Sequence, residues 1–187
     1  MHTIWTGERV RLRPFRDEDE RCGIYEELHV TPNQFWGAWW SARQKVSKDF
    51  EEAGMLAADK YSTFAIERLD TNQLVGYEEY GIISSIAAWV GTFIKPEHWH
   101  LGFGIEAKQL CYCYLFESFP LVRVDSGTLE HHLRARSGLL KSCMTFEGCV
   151  RRMHPTAGRF CDLVTYYIFR EQWEQLPIRQ VVRRGAL

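Results

Sequence analysis

The six residues Leu101-Gly102-Phe103-Gly104-Ile105-Glu106 constrain the fold most, because they join a strand pattern ending at Ile94 to a helix pattern running from Phe103 to about Phe119. Ile105, Leu110, Tyr114 and Leu115 recur at helical spacing, and Pro120 stops the run. Two glycines just ahead of a helix let the main chain approach a ligand closely. The free N–H groups and the dipole at that end favour negative charge. The middle of the chain is therefore expected to be a strand–turn–helix crossover that seats a phosphate or pyrophosphate.

The rest of the chain supplies the frame for that turn. Val10 and Leu12 alternate with charge between Gly7 and Pro14, which predicts a strand. A helix is expected from Asp17 to about Leu28, and Thr31-Pro32-Asn33 breaks it. A second helical region, from about Phe35 to Gly54, carries Trp36, Trp39, Trp40, Val46 and Phe50, several of them on one face. Strands follow at Tyr61 to Glu67, Leu74 to Ile83 and Ile86 to Ile94, the first two joined through the turn Asp70-Thr71-Asn72. Lys95 to His100 reads as a loop, with Pro96 ending the ladder. Beyond the central helix come a short buried strand at Leu121 to Val124, a helix from His132 to about Cys143, and strands at Met144 to Arg152 and Phe160 to Phe169. A turn at Pro155 to Gly158 separates the last two, and a helical turn follows at Glu171 to Leu176. The pattern describes one domain over residues 1–187, with its core at about 8–176 and a loose basic tail at 177–187. The predicted class is α+β: a mixed, mostly antiparallel sheet of about seven strands, one parallel crossover after the phosphate turn, and helices on both faces.

Composition narrows the function. A formal charge of −1 provides no basic field for nucleic acid or an anionic membrane. No apolar run is long enough to span a bilayer, and the first residues lack the apolar stretch of a signal peptide. The expectation is a soluble, cytoplasmic protein without nucleic-acid or membrane partners. The six cysteines, Cys22, Cys111, Cys113, Cys143, Cys149 and Cys161, include no pair at zinc-site spacing, so no metal is expected. They read as buried reduced thiols, with Cys111 and Cys113 on different faces of their helix.

The phosphate turn also satisfies a dinucleotide fingerprint, Gly102-x-Gly104-x-x-Ala107, with Asp125 at a strand end where a ribose-binding acid would sit. The context speaks against it. The first glycine lies several residues beyond the strand instead of turning tightly off it. The unit follows an antiparallel meander, and a single crossover cannot make a doubly wound sheet.

Several short segments occur here in a shared order. They are Gly7-Glu8-Arg9-Val10-Arg11-Leu12-Arg13-Pro14, Phe64-Ala65-Ile66-Glu67, Leu74-Val75-Gly76, Trp89-Val90-Gly91-Thr92-Phe93-Ile94 with Pro96, and Gly102-Phe103-Gly104-Ile105-Glu106-Ala107. Closing segments are Phe146-Glu147-Gly148-Cys149-Val150-Arg151, Gly158-Arg159-Phe160-Cys161-Asp162, and Tyr166 through Arg170 to Trp173. Together, from Glu8 to Trp173, they resemble the GNAT N-acyltransferase superfamily in its RimJ/RimL-like branch. The resemblance implies a GNAT-like fold and acetyl-CoA (coenzyme A) held between two splayed strands. The pantetheine arm would pair with the main chain of Thr92, Phe93 and Ile94. The pyrophosphate would lie on the amides of Leu101, Gly102, Phe103, Gly104 and Ile105, and His132 would touch the cofactor. Trp36, Trp39 and Tyr80 are the implied acceptor contacts. The implied reaction moves an acetyl group to a primary amine of a small molecule or a protein N-terminus, by direct attack on the thioester. A homodimer is common in the family.

Departures from the family pattern fall around the thioester. Trp99 stands where Gln or Arg is usual, His132 at an Asn position, and Ala135 at the Ser position of RimL-like members. Leu139 replaces a Tyr that protonates the leaving thiolate, and Cys143-Met144 replaces Gly-Phe. The general acid is left unassigned. For the base, Glu78 and Glu79 point to opposite faces of their strand. Glu79 is preferred, with His132 as the second catalytic candidate. His98, His100 and His131 read as exposed, as do Arg151, Arg152 and Arg159, with Asp162 pairing one of these arginines. The alternative function is a GNAT-fold protein that binds coenzyme A or another ligand without catalysis.

Overall fold

The computed structural model describes residues 4–29, 48, 61–156 and 159–186. Along the chain it contains β1 (Ile4–Thr6), β2 (Val10–Arg13), α1 (Glu18–His29), β3 (Tyr61–Arg68), β4 (Leu74–Ser84), β5 (Ala87–Ile94) and a 3-10 turn (Pro96–His98). Then come α2 (Phe103–Ser118), β6 (Arg123–Leu129), α3 (Leu133–Lys141), β7 (Thr145–Thr156), β8 (Arg159–Phe169), α4 (Arg170–Trp173), α5 (Ile178–Val181) and β9 (Arg183–Gly185). The strands form one sheet in the order β7-β8-β6-β5-β4-β3-β2-β1-β9. Every neighbouring pair is antiparallel except β5 and β6, which run parallel with α2 as their crossover. The expected second helical region, with Trp36, Trp39 and Trp40, lies outside the described residues apart from Lys48.

The α+β class and its single parallel crossover hold. The strand count rises from about seven to nine, because both chain ends join the sheet. Ile4 pairs with Gly185 and Trp5 with Arg184, so the predicted loose tail is ordered. Its Ile178 and Val182 are buried. Arg184 stacks over the Trp5 ring, 5.3 Å from the centroid, and donates to Glu117 Oε2 at 2.7 Å. Basic composition suggested solvent here, but a few apolar residues between the arginines decide the outcome. β6 also extends to Leu129 rather than ending at Val124, carried by antiparallel pairing with β8 as far as Leu129–Leu163.

Residue parity sorts side chains onto two faces. Val10, Leu12, Phe64, Ile66, Tyr80, Ala88, Val90, Val124, Val164, Tyr166 and Ile168 meet α2 in the main core. Within it, Tyr80 and Tyr114 share a hydroxyl hydrogen bond of 2.8 Å. On the other face Ala65 and Tyr77 pack with Phe15, Ile24 and Leu28 of the α1 segment. There the buried Glu67 carboxylate takes Arg11, Arg13 and Arg16, and Glu20 joins through Arg13. This network ties α1 to β2 and β3. The far end of α2 is closed by Arg170, whose guanidinium donates to the carbonyls of Leu121, Phe116 and Phe119 at 2.7–2.9 Å. The near end of α2 is therefore the one left with open donors.

Candidate active site

β5 and β6 are paired only at Ala87–Arg123, Ala88–Val124 and Trp89–Asp125. Beyond that rung the strands part. The Val90 carbonyl, which the next β6 amide would take, instead accepts the Ser126 hydroxyl at 2.8 Å. Strand alternation then fixes what faces the gap. Val90 looks toward β6, so Thr92 and Ile94 do as well. The opposite parity faces β4, as the bond from the Lys95 amide to the Val75 carbonyl confirms (2.9 Å).

This corrects the expected strand contacts. Phe93 turns its main chain to β4 and stacks its ring on Tyr77, 4.6 Å between centroids. It cannot pair with a ligand in the gap. The Ile94 carbonyl is taken by the Trp99 indole N–H at 2.7 Å, which explains a tryptophan at that position. Thr92 alone of the three keeps both main-chain groups toward the opening.

At the N-terminus of α2, Gly102 holds φ at +83°, a conformation that glycine adopts without cost. Phe103 and Gly104 have amides with no acceptor inside the helix. Ile105 does not share in this, since its amide bonds the Gly102 carbonyl at 3.1 Å. A Cβ on Gly104 would stand 3.1 Å from the Ile94 side chain and 3.5 Å from that of Thr92, so the glycine brings α2 down against β5. Glu106 is turned away from the open end. Its Oε1 accepts the amides of Glu8 at 2.6 Å and Arg9 at 3.0 Å, fastening the helix start to the β1–β2 turn.

α3 closes the other side of the gap. His132 precedes its first turn and is buried, with Nδ1 3.3 Å from Thr128 Oγ1 and Nε2 3.5 Å from Arg134. Burial, then the charges of Arg134 and His131, push the imidazole down to about 4, so it is neutral at pH 7. The Arg134 guanidinium lies 3.6 Å from the centroid of the Trp99 ring, a cation–π contact that spans from α3 to the loop before α2.

Two carboxyl groups flank the gap from opposite faces. Glu79 lies on the α1 side, its Oε1 so close over Gly91 that a Cβ there would sit 2.8 Å away. Glu78 is fully buried on the α2 side, beneath the Thr92 rung. Lys108 Nζ approaches its Oε1 to 3.8 Å. Burial raises the Glu78 carboxyl to about 7 against the opposing pull of Lys108 and Thr92. Alternation separates these neighbours, but nothing in the sequence says which of them is buried.

The other expected residues are placed as follows. Tyr80 is a core side chain between Phe64 and Tyr114, its hydroxyl satisfied, and it does not reach an acceptor surface. Trp36 and Trp39 are outside the described residues. Asp125 is held by Arg123 at 2.5 Å and is no ribose acid. His98 is buried against Phe103 rather than exposed, whereas His100 and His131 are exposed. Arg151, Arg152 and Arg159 are exposed and Asp162 pairs with Arg151 at 2.6 Å, as expected. Cys22, Cys111 and Cys113 are buried thiols, but Cys143 and Cys149 are exposed. Ser126, Thr128, Lys108 and Arg134 escaped the sequence reading. The alternating Ser126-x-Thr128 on a buried strand was the available signal. Among the described residues no carboxylate, imidazole and thiol group could hold a metal ion, and no helix is long and apolar enough to cross a membrane.

A parted strand pair, one open rung and a helix start with free amides suit a long ligand ending in a diphosphate. Comparison with known proteins gives the same direction. The chain is 25% identical over 174 residues to an uncharacterized N-acetyltransferase, YoaA, of Bacillus subtilis, covering 91% of this chain and 98% of that one. Its fold is similar to that of a spermidine N-acetyltransferase from Vibrio cholerae solved with CoA and spermine (TM-score 0.73, 18% identity, 89% of this chain and 98% of that chain). It is also similar to RimL, a ribosomal-protein α-N-acetyltransferase solved with coenzyme A (TM-score 0.74, 15% identity, 89% and 97%). The family described as acetyltransferase (GNAT) domain matches residues 9–144. The chain therefore belongs to the GNAT acetyltransferase family, as an acyl-CoA-dependent transferase whose usual cofactor is acetyl-CoA.

Proposed function

We propose that this protein transfers the acetyl group of acetyl-CoA to a primary amine of a small molecule or a protein N-terminus, in the cytoplasm. The observation that carries this reading is the parting of β5 and β6 after Trp89–Asp125, with the Thr92 main chain turned to the opening. The Thr92 N–H and C=O would hold the pantetheine arm. The amides of Gly102, Phe103 and Gly104 would hold the pyrophosphate. The cofactor supplies an activated acyl group on a sulfur leaving group. The neutral His132 would serve as a hydrogen-bonding contact beside the arm, and at pH 7 it is no proton donor in the imidazolium form. Glu79, over Gly91 on the α1 face, would take the proton that an ammonium sheds to become a nucleophile.

Two measurements test the proposal. Acetyl-CoA is expected to raise the melting temperature, and NAD to leave it unchanged. Thiol release from acetyl-CoA is expected with at least one member of a panel spanning polyamines, amino sugars, amino acids and N-terminal peptides. Leu139, a buried aliphatic residue at the place of a proton-donating Tyr, favours the non-catalytic reading. Stabilisation by acetyl-CoA without thiol release from any amine would decide for that reading.

A further inference from the structure

Three buried oxygen atoms meet under the Thr92 rung without hydrogen-bond partners: Glu78 Oε1, Glu78 Oε2 and Thr92 Oγ1. Buried polar atoms are nearly always satisfied, so such a cluster calls for an explanation. The groups packed around Glu78 leave it few roles. Its rung partner on β3 is Phe64. From α2 come Lys108, the one cation paired with it among the described residues, together with the buried Cys111 and Tyr112. Cys111 is pushed well up by burial. The Tyr112 hydroxyl is committed to Ser142 and is likewise pushed well up. Glu79 belongs to the opposite face. On β5 the Thr92 hydroxyl stands on the same rung and favours the charged form of Glu78.

The same side of the gap lacks the expected acid. Leu139 has no acidic proton, His132 is neutral, and Ser126 is bound to Val90. We propose that Glu78 is the proton source for the departing thiolate, delivering through the Thr92 hydroxyl from beneath the gap. This rests on the acyl-transfer reading above. The balance is closed. The carbon–sulfur bond breaks with its electron pair on sulfur. The Thr92 hydroxyl proton passes to that sulfur, and the Glu78 carboxyl replaces it on Thr92. In forming the carbon–nitrogen bond the nitrogen sheds two protons, the first to Glu79 before attack and the second to solvent as the amide is made. Glu79 returns its proton to solvent, and Glu78, left as a carboxylate matched by Lys108, regains one from solvent. Glu79 and Glu78 thus act on opposite faces, one receiving and one releasing a proton. The differing environments of two neighbouring carboxyl groups make that division workable.

The first test needs no turnover. Infrared difference spectra of the ligand-free protein across neutral pH are expected to show a protonated-carboxyl band that fades as pH rises and is missing in Glu78→Gln. A carboxyl group already ionised at acid pH would overturn the proposal. In steady state, Glu78→Gln and the isosteric Thr92→Val are each expected to lose about 100-fold in kcat, with the Kd for CoA within about threefold of wild type. The alkaline fall in kcat, where the carboxyl loses its proton, is expected to vanish in Glu78→Gln. The Glu78→Gln/Lys108→Met double variant removes the lone buried ammonium should the single variant fold poorly. An active wild type matched by these variants overturns the role of Glu78 alone. A wild type that binds CoA but acetylates no amine overturns the transfer reading and this proposal with it.

Discussion

His132 shows how one buried ring couples the site to stability. Its depressed ionisation means that the folded protein resists a proton which the unfolded chain accepts. The stabilisation is complete above about 6.5, the ordinary value for an imidazole, and is lost as pH falls toward about 4. Replacing His132 by Asn is therefore expected to flatten the decline in melting temperature between pH 7 and pH 5. Cys143 makes a separate point. It ends α3 with φ at +72°, and the amides of Cys143 and Met144 bond back to Leu140 and Leu139 at 3.0 and 3.1 Å. That is the Schellman arrangement, which favours glycine at the left-handed position. Cys143→Gly is expected to stabilise by about 1 kcal/mol in urea unfolding. Chain order alone placed both residues at helix ends. Neither the buried state of the imidazole nor the backbone angle could be read there, because both depend on what packs around α3.

At the scale of elements, α2 and β5 make one device. The strand–turn–helix order was visible in the chain because glycine spacing and apolar periodicity are local signals. What the chain concealed was the division of labour along β5. Parity depends on where the ladder to β4 is registered, so the gap-facing set (Thr92, Ile94) and the β4-facing set (Gly91, Phe93) could not be separated beforehand. The loss of the Ile105 amide from the expected cradle has a similar origin, since the first turn closes onto Gly102. Gly104 sets the separation of helix and strand. Gly104→Val is expected to abolish CoA binding by calorimetry while leaving the fold intact. The added branches would meet Ile94 and Thr92 and push α2 off the strand that it serves.

Across the whole molecule, the sheet is sealed at one end by the chain's own termini. β9 covers β1, and Val182 and Ile178 complete the core beside Trp5. Truncation before Ile178 is expected to cost about 3 kcal/mol or more in urea unfolding, because two buried aliphatic side chains and a strand are lost. Composition pointed to a mobile tail because net charge is averaged over the segment, whereas burial is decided residue by residue. The opposite half of the sheet behaves differently. β6 and β5 separate where Ser126 intercepts Val90, so the sheet that is closed by main-chain pairing at one margin is left deliberately incomplete near its middle.

The Trp99 indole adds a last consequence. By occupying the Ile94 oxygen it removes the second step of the rail that β5 could offer, and with Arg134 above it the ring narrows the approach from the loop side. An acyl-CoA threading this slot would be gripped at a single main-chain rung and at its anionic head. On the proposed reading, registration along the slot would be dictated from the head, and the reactive end would arrive beside Glu79 and Glu78 by length alone, as a measured rod laid against a stop.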